Sequence, residues 1–517
     1  MRFDYVIIGS GMGGSVLTRR LVAAGASVCL LERGGFVKQE KSNWDIVDVV
    51  VKKKYQAEET WYDLEGRPFQ PRVYYNVGGS SRFYGAAAYR LRRRDFREQR
   101  YADGVSPGWP FPYEELEPYY DRAEGLLHVR GLRGEDPTDP GGRAYPDPPI
   151  EHEAFVADLA VRLKKQGLRP FHTPLAIDFG PGGRCRKGSP CDGFPCMVRA
   201  KGDAENRILR PLLLKKPEKL SLITEARVLR LKTADHGTTV FAALFEKGGI
   251  LQQVEGRFFL LCAGALNSAL ILLDSRDEHH PDGLANSSGL VGRNYMCHNN
   301  TVLMAFHPFR KNPTVMQKTL SCNDFYLLGG YADGDGGVAG EAADGAAGGA
   351  GGNVQLRGKV QPENLRGSPR LYLRLLKRFI AARSADFWIM SEDLPDRNNR
   401  IYRDGQSRVR LERKPTNIDA HHQLVAGFTE ILKRAGFPFV ISVPRGLDSV
   451  QHQSGTVRMG TDPGSSVLDP FCRTHDVPNL YVVDGGFFPS SGAVNPALTI
   501  TAQALRVADH LLDTSFN

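Results

Sequence analysis

The sequence lacks any apolar run approaching the ~20 residues that a helix needs to cross a bilayer. Residues 6–8 lie too early, and are too few, to be the apolar core of a signal peptide. A cytoplasmic protein with no membrane span is therefore the expectation. Cysteine is scarce, 8 of 517 residues, which argues against a disulfide scaffold. Cys29 and Cys262 sit in apolar runs and read as buried thiols. Zinc-like spacing is also missing: Cys185, Cys191 and Cys196 in CRKGSPCDGFPC contain no C-x-x-C. The adjacent pairs His279-His280 and His421-His422 would diverge by ~100° on a helix, so no metal centre is expected. The basic excess is moderate, net +9, and its densest piece, residues 90–94, has no interleaved aromatics. That disfavours a nucleic-acid partner and reads as a solvated face or a wall near cofactor phosphates.

What is present is an ordinary folded composition, 41% hydrophobic and 24% charged, long enough for two or three domain-sized units. The first thirty-five residues are the most informative. An apolar run at 3–8 leads into Gly9-Ser10-Gly11-Met12-Gly13-Gly14, with glycines at 9, 11 and 14 in G-x-G-x-x-G spacing. Val16, Leu17, Leu21 and Val22 then recur at helical intervals, Gly25 closes the helix, and a second apolar run at 27–31 ends on Glu32. Strand, tight turn, helix and strand-end carboxylate are the parts of a dinucleotide site: close pyrophosphate approach, a helix N-terminus and a ribose acceptor. Residues 334–352 are as glycine-rich but have neither the preceding strand nor the following helix. The motif predicts an ADP-containing cofactor without choosing between NAD and FAD.

Further on, Gly78-Gly79-Ser80-Ser81 can approach an anion or ring closely. Helices are predicted over 114–127, 155–163, 265–273, 371–380 and 419–435, and strands over 220–224, 226–231, 240–245 and 257–263. The nucleotide domain is thus left and re-entered. Strands at 301–306 and 353–360 are expected to pair in a second sheet. Residues 329–353 carry almost no large side chains, which predicts a mobile loop. A polar loop at 451–460, a buried strand ending on Asp484 and Gly485, and a helix entered through Asn495-Pro496 close the chain.

These segments resemble the glucose-methanol-choline oxidoreductases. The resemblance is carried, in family order, by the 9–14 turn with Glu32, Asn76-Val-Gly-Gly-Ser-Ser81, Cys262-Ala-Gly-Ala-Leu-Asn-Ser268, His452-x-x-Gly-Thr-x-Arg-Met-Gly460, and 479–484 followed by Asn495-Pro496. It implies an α/β chain, α+β overall. A Rossmann-like FAD domain would be built from 1–105, 203–300 and 450–517. A substrate domain with an antiparallel sheet and helices would come from 106–202 and 301–449. By the same resemblance, Gly9, Gly11 and Gly14 would hold the diphosphate, Glu32 with Arg33 the adenosine ribose, and Val228 the adenine. Gly78, Gly79, Ser80 and Ser81 would lie along the flavin. Gly264, Asp484 and Gly485 would meet the diphosphate and ribityl chain, and Pro496 and Ala497 the pyrimidine edge. Phe83 stands where some relatives carry a histidine that binds FAD covalently, so non-covalent FAD is expected; Tyr84 replaces an asparagine common in relatives. Glu392 resembles a carboxylate near the site. Some relatives ligate an iron–sulfur cluster near the position of the three cysteines, for which free thiols, one disulfide and a cluster stay open.

His452 and Asn495 would be the active pair. Removing hydride from an alcohol carbon requires removal of the hydroxyl proton, and histidine suits that near neutrality. The function implied is oxidation of a primary or secondary alcohol, a sugar or sterol among them, with electrons passed to O2 or to a quinone, dye or cytochrome. The alternatives are a dehydrogenase subunit serving a cytochrome or other partner, and a flavin-dependent lyase.

Overall fold

The computed structural model describes residues 2–188, 190–234, 236–326, 351–365, 371–448 and 452–515. The opening apolar run forms strand Arg2–Ile8, whose last four residues are buried, as a strand covered on both faces requires. Gly9, at φ +99°, turns the chain into helix Met12–Ala23, and Val28–Leu31 returns parallel to the first strand. Leu220–Ile223 extends this sheet on one side and Ile250–Leu261 on the other, both parallel. Val240–Lys247 and Arg227–Thr233 continue it antiparallel, and Leu480–Val482 pairs parallel with the end of Ile250–Leu261, making seven strands.

The strand expected over 257–263 is therefore twelve residues long. Its first half is largely exposed, and Gln252, Gln253 and Glu255 break up Ile250, Leu251 and Val254, so no continuous apolar run marks it. Helix Ala497–Ser515 packs against both Met12–Ala23 and Tyr113–Leu127, tying the end of the chain to its beginning.

The second sheet is antiparallel and six-stranded, in the order Phe439–Pro444, Asn299–Phe306, Ser384–Ser391, Gly352–Leu356, Leu320–Cys322, Phe171–His172. The strands expected at 301–306 and 353–360 share this sheet but do not pair, because Ser384–Ser391 lies between them. That strand escapes notice because Asp386 interrupts its apolar pattern; buried, it accepts from Gln317 Nε2 and Val360 N, both at 2.9 Å. Period-two alternation divides the sheet's faces. Leu303, Val354, Phe387 and Ile389 pack with Leu424, Phe428 and Ile431 of helix Ile418–Arg434. Asn300, Gln355, Trp388 and Met390 face a cavity between the two sheets.

Two further expectations change. Residues 90–94 are a solvated face only at Arg93: Arg90 and Arg92 are 1% and 4% exposed and pair with Asp121, Glu124 and Asp136. None of the five lines the cavity. Acids brought up by the Tyr113–Leu127 helix and the loop after it decide this, and charge density in sequence does not reveal them. Of the loop expected over 329–353, residues 329–350 lie outside the described residues, while Gly352 and Asn353 begin a strand. Among the described residues, no helix is long and apolar enough to cross a membrane.

Candidate active site

The Gly9 turn sits where Arg2–Ile8 ends, and Glu32 where Val28–Leu31 ends, so parallel pairing places them side by side. Ser10 donates to Glu32 Oε2 through its amide and hydroxyl, at 2.9 and 2.6 Å, and the Gly34 amide donates to Oε1 at 3.0 Å. Burial raises the Glu32 pKa, opposed by these hydrogen bonds. Arg33 pairs with Glu59 and lies 3.7 Å above the Tyr75 ring. Asp484 accepts from Gly264 N (2.9 Å), Ser268 Oγ (2.6 Å) and Gly486 N (2.8 Å), locking the last strand of the sheet to the start of helix Ala265–Asp274. Burial raises its pKa too.

A cavity of about 960 Å³ runs from this turn to the second sheet, the upper end of the size of small-molecule sites. Of the residues singled out in sequence, Gly9, Gly11, Glu32, Arg33, Gly79, Ser80, Ser81, Val228, Gly264, Asp484, Gly485, Pro496, Ala497, His452 and Asn495 all line it. Gly14 and Gly78 do not. Gly14 serves packing: a Cβ there would stand 1.9 Å from the Gly9 carbonyl oxygen. The Gly78 amide donates to Ser10 Oγ at 3.0 Å, at φ +92°. Phe83 is buried against Tyr74 at 4.2 Å between ring centroids and stays out of the cavity, whereas Tyr84 lines it.

At the far end of the cavity stand His452 and Asn495. His452 adopts φ +64°, a left-handed conformation that histidine tolerates better than most residues, and this aims its ring at the start of helix Ala497–Ser515. Asn495 Nδ2 lies 3.2 Å from His452 Nε2, and Asn495 Oδ1 accepts from Gln355 Nε2 at 3.0 Å. The amide is thereby oriented, its nitrogen toward the histidine. His452 Nδ1 lies 3.1 Å from Nδ1 of His298, whose Nε2 faces the Ser491 carbonyl oxygen at 3.4 Å. One set of tautomers satisfies every contact: Asn495 donates to a bare Nε2, His452 donates from Nδ1 to His298, and His298 donates from Nε2 to Ser491. Burial pushes the His452 pKa well below its usual value; His298, Lys318 and Arg72 push the same way, and Asp192 opposes them. His298 is itself lowered to about 4 by burial. Both rings are neutral at pH 7.

Sequence reasoning missed His298, Gln355, Asp192, Lys318 and Arg357. Each comes from a segment with no motif, and only sheet register and loop docking bring them together. Glu392 lies outside the cavity lining and accepts from Ser106 Oγ (2.7 Å), Tyr101 Oη (2.8 Å) and Gly492 N (3.1 Å). It thus holds the far side of the peptide that His298 touches. His421 is held between Thr301 and Ser391, each 2.9 Å away. Cys185, Cys191 and Cys196 are free; their loop delivers Asp192 and Gly193 to the cavity wall.

These residues fit FAD: a glycine turn and buried carboxylate at one end, a helix N-terminus and an amide–imidazole pair at the other, joined by one elongated space. Comparison with known proteins agrees. Residues 404–504 match the GMC oxidoreductase family model. The chain is 32% identical to paromamine 6'-oxidase of Streptomyces fradiae, over 98% of this chain and 90% of that protein. It is 27% identical to 2-methyl-1,2-propanediol dehydrogenase of Mycolicibacterium austroafricanum, over 98% and 95%. Its fold matches pyridoxine 4-oxidase from Mesorbium loti, with a TM-score of 0.68 at 18% identity over 99% of both chains. The chain belongs to the glucose-methanol-choline oxidoreductase family and is an FAD-dependent enzyme that oxidises CH–OH groups.

Proposed function

We propose that His452 removes the hydroxyl proton of a primary or secondary alcohol while Asn495 holds the same oxygen, with FAD bound non-covalently. The observation that carries this reading is the 3.2 Å approach of His452 Nε2 and Asn495 Nδ2 at the cavity end, each side chain fixed from behind. A hydroxyl entering between them replaces that bond with two: it donates to Nε2 and accepts from Nδ2. Because burial keeps the ring neutral, Nε2 accepts the proton throughout the neutral range. His298 and Gln355 hold the pair in the reactive geometry before substrate arrives.

When bound, FAD supplies the acceptor for the hydride leaving the carbinol carbon. Gly9 and Gly11 would face its diphosphate, Glu32, Arg33 and Val228 its adenosine, Gly264, Asp484 and Gly485 the chain between, and Gly79, Ser80 and Ser81 its ring. Pro496 and Ala497 open a helix whose positive end favours negative charge beside them. Phe83 offers no nucleophile for a covalent link. The electrons pass on to O2 or to a quinone, dye or cytochrome; relatives named both oxidase and dehydrogenase support this. The FAD-binding unit is proposed as 1–105, 203–300 and 450–517, and the substrate unit as 106–202 and 301–449. Eight unpaired thiols support a reducing, cytoplasmic compartment.

The test is an anaerobic titration of the yellow protein with alcohols, followed by air. Flavin bleaching by an alcohol is expected, and the speed of recovery in air separates O2 from another acceptor. His452→Ala should retain FAD and lose ~10²-fold or more in reduction rate; an unchanged rate would remove the base from His452.

A further inference from the structure

We propose that the alcohol this enzyme oxidises carries an anionic group, a carboxylate or a phosphate, which docks on Arg357 beside the His452–Asn495 pair. The inference rests on the alcohol-oxidation reading of that pair and names its substrate class.

Beside the His452–Asn495 pair the cavity wall carries Lys318 and Arg357 against one carboxylate, Asp192. That carboxylate is already engaged. Lys318 Nζ stands 3.3 Å from Asp192 Oδ2, and Trp388 Nε1 donates to the same oxygen at 3.1 Å. The chain makes room for the pair at Gly85, where a Cβ would fall 1.7 Å from Lys318 Nζ and 2.7 Å from Asp192 Oδ1. Lys318 and Asp192 therefore neutralise one another inside the wall, and the excess of positive charge lies elsewhere.

It lies most clearly on Arg357. Its guanidinium is stacked 4.5 Å over the Trp388 ring. Among the described residues it makes no ion pair or side-chain hydrogen bond, and its Nε is buried without a partner. Burial lowers its pKa, with Asp192 and Asp386 pulling the other way, yet a guanidinium stays protonated in proteins. A half-buried, forked cation whose Nε is buried and whose side chain has no hydrogen-bond partner among the described residues is a binding site for a planar or tetrahedral oxyanion.

Its position decides which ligand. Arg357 follows Gln355 by two residues, just past the end of strand Gly352–Leu356, so both side chains face the cavity, about 7 Å apart along the chain. Gln355 orients Asn495. An anion on Arg357 is therefore presented next to the hydroxyl held by Asn495 and His452, at the opposite end of the cavity from the Gly9 turn that faces the cofactor diphosphate. The same field has a chemical consequence. Lys318 and Arg72 suppress protonation of His452; an arriving anion offsets them, so the base becomes stronger once substrate is bound.

The experiment uses the oxidised holoenzyme and a matched set of alcohols: glucose, glucosamine, gluconate and glucose 6-phosphate. Calorimetric binding and anaerobic flavin reduction are measured for wild type, Arg357→Gln and Arg357→Lys. Gluconate or glucose 6-phosphate should be preferred over glucose at least 10-fold in kcat/KM, and whichever is preferred names the carboxylate or the phosphate. Arg357→Gln should collapse that preference about 10- to 100-fold, mainly through KM, and Arg357→Lys should restore part of it. Equal or better use of glucose or glucosamine, or a preference unmoved in both variants, overturns the proposal while alcohol oxidation stands. Anion binding that depends on Arg357 with no flavin reduction by any of the four upholds the docking site and overturns the placement of the substrate hydroxyl between His452 and Asn495.

Discussion

Replacing His298 tests the active site most sharply, because His298 meets the His452 imidazole from behind, on the nitrogen away from Asn495. In the tautomer chain, the His452 Nδ1 hydrogen rests on His298 Nδ1 at 3.1 Å, which leaves Nε2 bare for the substrate proton. His298→Ala removes the acceptor. A buried N–H without a partner costs about 1–3 kcal/mol, and the ring escapes by moving its hydrogen to Nε2, where it blocks the base. At ~1.4 kcal/mol per factor of ten, flavin reduction should slow by roughly 30-fold, within limits of about 5 and 150. The pH profile should also move. In the proposed role His452 works as the neutral base, so activity should be lost as pH falls through its pKa. In the wild type that pKa is well below 6.5, and the rate should be flat from pH 8 to below 6.5. Without His298, burial and repulsion both weaken, the pKa rises, and the loss should set in at higher pH. His298→Asn is the control, since its Oδ1 is as many bonds from the backbone as the lost Nδ1, and it should recover most of the rate. Stopped-flow reduction across pH decides the matter. A His298→Ala variant with wild-type rate and profile, indistinguishable from His298→Asn, would refute the relay.

Two other substitutions probe the framework. At Gly13 a Cβ would lie 1.9 Å from the Val483 carbonyl oxygen, so Gly13→Ala should destabilise the fold by about 1–3 kcal/mol and lower the flavin-to-protein absorbance ratio; a wild-type melting temperature and full flavin would contradict the close approach. Glu392 is 4% exposed and burial raises its pKa to about 7. Because this folded-state value exceeds the unfolded one near 4.5, its contribution to stability is complete below pH 4.5 and is lost as pH rises to 7. The stability of the wild type relative to Glu392→Gln should therefore fall by about 3 kcal/mol across that window, measured as urea unfolding at both ends; a constant difference would show that the carboxyl ionises normally.

The parts legible in advance were local. The 9–14 turn, Glu32 and the helix opening at Pro496 depend on backbone geometry within a few residues of each motif, and glycine spacing, apolar runs and proline position record that geometry directly. The same logic located most helices and parallel strands to within a few residues. It failed where burial came from distant partners. Ser384–Ser391 was missed because a buried Asp386, satisfied from other segments, breaks the apolar pattern. Arg90 and Arg92 read as solvent-facing because their carboxylates arrive from residues 121–136.

The residues behind the proposed catalytic pair fall in the same class. Sequence placed His452 and Asn495 within motifs, since each stands in a loop or helix start of characteristic composition. That His452 takes a left-handed backbone, that His298 and Gln355 brace it and Asn495 from behind, and that Lys318 and Arg357 set the charge of the wall follow from pairing and docking among segments far apart in the chain, 154 residues for His298 and His452 and 140 for Gln355 and Asn495. Local pattern determines which elements form and where a cofactor turn lies. Only tertiary packing decides which side chains share a cavity, because that depends on register and burial between elements, which no short stretch of chain encodes.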